Sequence, residues 1–173
     1  MFIAFHLIVV ILESNFVEAA EKYNAKSWSY VSIFESTIGM PYYLNLSVGK
    51  IAIGSIFPYD KLGMGIALVE ALVLRDWPPE IEPKYFPLSI YYLPYTKWNK
   101  HGLALPAIYG IITANYWPID FRCLTFRAGI TWFCAGFECG GVHFFSNSTW
   151  QFYAGINLSF GGWLGTNIKK QNQ

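Results

Sequence analysis

The chain has 173 residues, 54% hydrophobic and 19% aromatic, with only 13% charged and a formal net charge of +1. That charged share is about half of what a soluble globular domain carries, so something apolar must absorb much of the surface, and the length suits one domain. The small net charge, with no basic run beyond Lys169 and Lys170, excludes the electrostatic footprint of a nucleic-acid binder.

The first twenty residues hold an apolar run, Phe2 to Leu12, and close on Val17, Glu18, Ala19 and Ala20. The run is too short to span a bilayer as a helix, and Val17 with Ala19 fits the small-residue rule for signal peptidase. Residues 1–20 are therefore expected to be a signal peptide and residues 21–173 one domain with a short C-terminal tail. Residues 27–35, SWSYVSIFE, mix aromatic, β-branched and serine residues as a first strand would, with Thr37, Gly39 and Pro41 supplying the turn after it. In residues 42–54 the apolar positions Leu44, Leu46 and Val48 give way to Ile51 and Ile53 around Gly49. A parity switch at glycine marks a β-bulge, so this second strand should kink there.

Residues 62–74 are apolar on both parities with Glu70 their only charge. They read as a third strand, with a buried helix as the alternative because Ala, Leu, Glu and Met favour helix. Residues 76–84, DWPPEIEPK, contain three prolines and read as a loop. Alternation resumes over 85–93, where Phe86, Leu88, Ile90 and Tyr92 oppose Ser89 and Tyr91, and residues 94–102 make a polar connection. The next segment, 102–119, has no charge before Asp120, yet Pro106, Gly110 and Asn115 interrupt it, so a strand followed by an interfacial turn at 116–120 is favoured over a transmembrane helix.

The sixth segment puts Leu124, Phe126, Ala128, Ile130 and Trp132 on one side and Cys123, Thr125, Arg127, Gly129 and Thr131 on the other. The seventh, 139–145, alternates Gly140, Val142 and Phe144 with Gly141, His143 and Phe145. After a turn at 146–148, residues 149–160 show the cleanest period of two. Trp150, Phe152, Ala154, Ile156, Leu158 and Phe160 form one apolar face, and Gln151, Tyr153, Gly155, Asn157 and Ser159 form the other. Eight such segments match the length a tilted strand needs to cross the hydrocarbon layer, and closure would pair every backbone donor and acceptor. The expected fold class is all-β, an up-and-down antiparallel transmembrane β-barrel of eight strands.

The signal-like N-terminus, the eight amphipathic segments, the aromatic residues near segment ends and the terminal strand ending at Phe160 resemble the small eight-stranded outer-membrane barrels of the OmpA-transmembrane, OmpX and OmpW type. The resemblance implies a bacterial outer-membrane location, outer-membrane lipid as the partner and insertion by the barrel-assembly machinery. It implies a structural, adhesive or narrow-permeability role without a cofactor. Rival readings are a secreted soluble β-barrel binding a hydrophobic ligand, and a helical membrane protein built from residues 62–74 and 102–119.

Glu35, Glu70, Arg122, Arg127, Glu138 and His143 are the groups expected in or near the lumen. There lone charges need partners, and a paired polar core is favoured over a narrow ion or proton path. His143 and Ser146, with Glu138 as a carboxylate, suggest an acyl-transfer alternative, since a histidine beside a serine can activate it. The run His143 to Asn147 resembles the outer-membrane lipid A deacylases in bringing His, Ser and Asn together, with one more residue between His and Ser than their pattern and Gln151 where an acid would follow. Cys134 and Cys139 flank four residues that a hairpin turn could fold into a disulfide, the alternative being that all three cysteines are small wall residues. No C-x-x-C or paired-histidine spacing predicts a metal. The acceptor-like triplets at Asn45, Asn147 and Asn157 follow from strand alternation. The seven tryptophans suit an aromatic girdle or ordinary packing.

Overall fold

The computed structural model describes residues 23–25, 27–40, 43–54, 61–73, 81–114, 123–132, 134–145, 148–166 and 169–170. The predicted signal peptide and the turn expected at 116–120 lie outside the described residues. The described strands are β1 (Tyr23–Asn24), β2 (Ser27–Met40), β3 (Tyr43–Gly54), β4 (Leu62–Ile66), β5 (Val69–Val73) and β6 (Ile81–Tyr85). They continue with β7 (Leu88–Trp98), β8 (Ala104–Ala114), β9 (Cys123–Trp132), β10 (Ala135–Phe144), β11 (Thr149–Thr166) and β12 (Lys169–Lys170). All pairings are antiparallel, and eight strands close in a ring: β2 with β3, β3 with β4, β4 with β7, on through β8, β9 and β10 to β11, and β11 back to β2. Closure leaves no ladder edge within the ring. β5 prolongs β4 beyond Ala67 and Leu68, and β6 leads into β7 through Phe86 and Pro87, so each predicted segment corresponds to one crossing of the ring.

The period of two sorts side chains to the two faces. On β11 the apolar set faces out, with Phe152 69% and Phe160 71% exposed, while Tyr153, Asn157 and Ser159 are buried inside. On β7, Leu88, Ile90 and Tyr92 are exposed, whereas Ser89, Tyr91 and Leu93 are buried. β9 repeats the pattern, with Thr125, Arg127 and Thr131 buried and Trp132 exposed.

Several boundaries differ from the sequence reading. β2 continues through Thr37 and Gly39 to Met40, because Thr37 turns inward to bond a carboxylate and Gly39 leaves room for the Tyr153 ring. Residues 81–84 of the proline-rich loop are strand. Pro83 stands opposite Ala71, and β6 pairs only with β5 among the described residues, so the missing proline N–H falls on an edge. Residues 62–73 are two strands with no helix, since both neighbours supply partners for their backbone. No helix among the described residues is long and apolar enough to cross a membrane. β11 runs six residues past Phe160, pairing residues 161–166 with Ser27 to Ser32 of β2, so what reads as a tail is wall. Beyond it β12 pairs with β1.

The interior is layered. At the end where β1 and β12 lie, Trp28, Tyr30, Tyr91, Leu93, Trp98, Tyr109 and Trp163 pack together. At the opposite end Tyr43, Leu72, Cys123, Val142 and Tyr153 do so. Gly54 makes the first cluster possible, because a Cβ there would stand 1.9 Å from the Trp28 ring. The turn between β7 and β8 crosses the mouth of the ring to a strand that is not its neighbour. Gly165 N–H donates to the Gly102 carbonyl at 2.6 Å, and Leu103 bridges Leu164. Asn99 Oδ1 fixes that turn by accepting from the N–H groups of His101 and Leu103.

Candidate functional site

Between the two apolar layers lies a cluster of five charged side chains, all at most 4% exposed: Glu35, Lys50, Glu70, Arg127 and Glu138. Three of them reach the interior through a shift of parity at one level of the wall. In β2 the inward residues are Trp28, Tyr30 and Ser32, then Glu35 and Thr37, with an extra residue accommodated where the β11–β2 register shifts at Phe160/Gly161. In β3 they are Tyr43, Asn45 and Ser47, then Lys50 and Ala52, across Gly49 at φ 63°. Along β4 and β5 they are Gly63, Gly65 and Ala67, then Glu70 and Leu72. Without these switches Glu35, Lys50 and Glu70 would each face outward. The pairing of β3 with β2 and β4–β5 keeps one register on both sides of Gly49, so the feature predicted as a bulge in β3 is a kink shared with its neighbours. A Cβ on Gly49 would approach Leu68 to 2.6 Å, so both the backbone angle and the space demand glycine.

Glu35 accepts from Lys50 Nζ at 2.9 Å, Arg127 Nη1 at 3.1 Å and Tyr30 O–H at 2.6 Å. Glu70 accepts from Asn45 Nδ2 at 2.5 Å and lies 3.8 Å from Arg127 Nη2. Glu138 accepts from Tyr153 O–H at 2.8 Å, Tyr109 O–H at 2.9 Å and Thr37 O–H at 3.1 Å, and Thr37 itself accepts from Asn157 Nδ2. Buried charges are tolerable only when paired and hydrogen-bonded: Glu35 has both, Glu138 is held by three hydroxyls, and Arg127 Nε and Nη2 find no hydrogen-bond partner among the described residues. It joins five ring strands, β2, β3, β8, β9 and β10, together with β5, and reaches β11 through Tyr153 and Asn157.

The cluster is enclosed. Trp163 stands 4.6 Å from the Tyr30 ring, 5.3 Å from Trp28, 5.8 Å from Tyr109 and 5.9 Å from Tyr91, closing one side. Tyr43 and Tyr153 stack at 3.5 Å on the other. A cavity of about 10 Å³ lies between Tyr30, Glu35, Tyr109, Asn157, Ser159 and Trp163, room for roughly one water molecule. It is no substrate pocket. Among the described residues no group of three His, Cys, Asp or Glu side chains could hold a metal ion.

Of the sequence-predicted lumen residues, the structure brings Glu35, Glu70, Arg127 and Glu138 together. Arg122 and Ser146 lie outside the described residues. His143 faces outward, its ring 4.7 Å from Trp150 and 4.9 Å from Phe145, because odd residues of β10 take the outer face and Glu138 the inner one. His143 and Glu138 are therefore on opposite sides of the wall. Cys134 and Cys139 are free thiols. Trp132 pairs with Ala135, so residues 135–138 are strand and not a turn; Cys134 immediately precedes β10 and Cys139 lies five residues along, about 16 Å away by strand rise and well beyond disulfide reach. Cys123 is buried inside.

Lys50 and the phenols of Tyr30, Tyr109 and Tyr153 escaped the sequence reading. Lys50 could have been found by carrying the parity switch at Gly49 forward, since it shares its face with Ala52. The tyrosines carry no such signal, because an alternating strand accepts tyrosine on either face. Asn45 and Asn157 are buried at 1% and 4% exposure, consistent with their triplets being products of alternation. Trp28, Trp98 and Trp163 pack inside while Trp132 and Trp150 face out. Trp77 and Trp117 lie outside the described residues. The chain matches no protein-family model, and comparison with curated proteins and with solved structures found no significant match.

Proposed function

We propose that this chain is an integral outer-membrane β-barrel that crosses the bilayer as a plugged, structural element. The observation that carries the reading is the inversion of the wall. Ile33, Ile38, Met40, Phe137, Phe152 and Phe160, each more than 60% exposed, face outward, while three glutamates, a lysine and an arginine are buried inside. Contiguous exposed apolar surface beyond a few hundred Å² marks a partner, and here the outer faces of all eight ring strands contribute. Lipid fits a surface that runs round the ring, and closure meets its demand that every backbone group be paired internally. A soluble barrel holding an apolar ligand would have the opposite arrangement, and the enclosed charge network favours a plug over a conduit.

The test is refolding of the full chain from denaturant into detergent and lipid vesicles, followed by gel migration with and without boiling and by recordings in a planar bilayer. Expected are a β-type circular dichroism spectrum, a heat-modifiable band and a flat current trace. A chain that stays folded and monodisperse without detergent would overturn the membrane reading, and reproducible current steps would overturn the plug.

A further inference from the structure

On the Trp163 side of the charged tier, the hydrogen bonds of Glu35 and those of Glu138 form two sets that face each other. Tyr30 donates to Glu35 at 2.6 Å, and the Ser159 hydroxyl lies 2.9 Å from that of Tyr30 and 3.0 Å from that of Ser32. Tyr109 donates to Glu138 at 2.9 Å, and Asn157 is tied to Glu138 through Thr37. No hydrogen bond between described residues joins Tyr30, Glu35 and Ser159 to Tyr109 and Asn157. The cavity of about 10 Å³ lies between these five side chains, each at most 5% exposed.

The proton supply of this lining decides what the cavity can hold. The Tyr30 proton is committed to Glu35, the Tyr109 proton to Glu138 and the Ser32 proton to the Phe34 carbonyl at 2.8 Å. Ser159 has one proton for two neighbouring hydroxyl oxygens, Tyr30 and Ser32. Asn157 spends an amide N–H on Thr37 at 3.0 Å, which leaves its amide oxygen as an acceptor. The lining therefore offers lone pairs and few protons, so an occupant has to donate. An anion would meet a carboxylate and the lone pairs of two phenols. A cation would be the third positive charge on Glu35, after Lys50 Nζ at 2.9 Å and Arg127 Nη1 at 3.1 Å, and like charges that close repel strongly away from bulk water. Water is neutral and donates twice, and a cavity of roughly this size holds one molecule.

We propose that this cavity is a binding site for one internal water molecule, which donates a hydrogen bond to an acceptor of each set and so joins the Glu35 and Glu138 networks across the interior. Buried water of this kind serves polar groups that the fold leaves short of partners. The carboxylates of β2 and β10 are thereby coupled through the ring as well as round it. The site lies inside the wall, so it does not depend on what surrounds the outer face.

The full chain, folded in ordinary water, is mixed rapidly into water enriched in the heavy oxygen isotope and irradiated with a short X-ray pulse. Hydroxyl radicals formed from a held water oxidise the rings beside it, and mass spectrometry reads which isotope each residue acquires. Tyr30 and Tyr109 should both be oxidised with the light isotope, while His101, exposed in the β7–β8 turn, should carry the heavy one. Ser159→Val, which replaces a hydroxyl of the lining with methyl groups, should lose the light-isotope label at both tyrosines. If that variant does not fold, the isotope pattern of the unsubstituted chain still decides. No oxidation of either tyrosine in the folded chain would show a dry cavity and overturn the site. The heavy isotope at both, as at His101, would mean freely exchanging solvent and overturn it as well. Label at one tyrosine alone would leave the two sets unjoined and contradict the bridge. Label lost when sodium chloride replaces choline chloride would assign the cavity to a metal cation and overturn the water.

Discussion

Arg127 bridges Glu35 and Glu70 at 3.1 Å and 3.8 Å, and all three side chains are buried. Removing one partner of a buried ion network strands the others, so Arg127→Met should destabilise the folded chain by about 3–5 kcal/mol. Adding Glu70→Gln to that variant should recover part of the loss. Denaturant unfolding in detergent measures both, and a loss as small as an exposed pair gives, under about 1 kcal/mol, would contradict the network. The cysteines give a second residue-scale outcome. A membrane-impermeant maleimide should modify Cys134, in its turn, and leave Cys139 and Cys123 untouched until the protein is unfolded. Cys139 stands on the outer face between Ala128 and Ala154, where lipid would cover it. Labelling of Cys139 as fast as Cys134 would count against that cover. At this scale four of the six lumen candidates were legible, because a charge in an apolar strand has to turn inward and find a partner. His143 was not, because histidine is amphipathic enough to lie against Trp150 on the outer face, and strand parity decides its side.

Each of the eight segments read from the sequence became a crossing of the ring, since alternation survives in single strands wherever one face is apolar and the other polar. Their ends were less legible. Thr37 and Gly39 read as turn chemistry because serine, threonine and glycine serve turns and barrel interiors alike, and the strand passes through both. Phe160 read as a terminus because glycines follow it, yet Gly161 and Gly162 pair with Ser32 and Val31 and bring Trp163 into the interior. A chain truncated after Phe160 should therefore lose its heat-modifiable band, having lost the pairing with Ser27 to Ser32 and the ring against which Trp28, Tyr30, Tyr91 and Tyr109 pack. Trp163→Ala in the full chain should cost about 3–5 kcal/mol, the usual penalty for emptying a large buried side chain. An unchanged unfolding midpoint would show that the aromatic layer carries no weight.

The described ring turns large apolar residues outward and holds five charged side chains inside, with an aromatic layer on either side of the charged tier and the β7–β8 turn tied across one mouth. Composition announced this inversion, since a chain with so few charges has too little polar surface to cover itself. It could not reveal that side chains fill the interior, because filling depends on which strands place Trp28, Trp163 and Tyr153 at matching heights. The most direct test labels residues 153 to 160 of β11 one at a time with a nitroxide, in a cysteine-free chain reconstituted in lipid vesicles. Collision with oxygen, which concentrates in hydrocarbon, and with a water-soluble nickel complex is then measured at each site. Labels at Ala154, Ile156, Leu158 and Phe160 should meet oxygen and not nickel, while those at Tyr153, Asn157 and Ser159 should meet neither. Nickel access at the even positions would place that face in water and contradict the account.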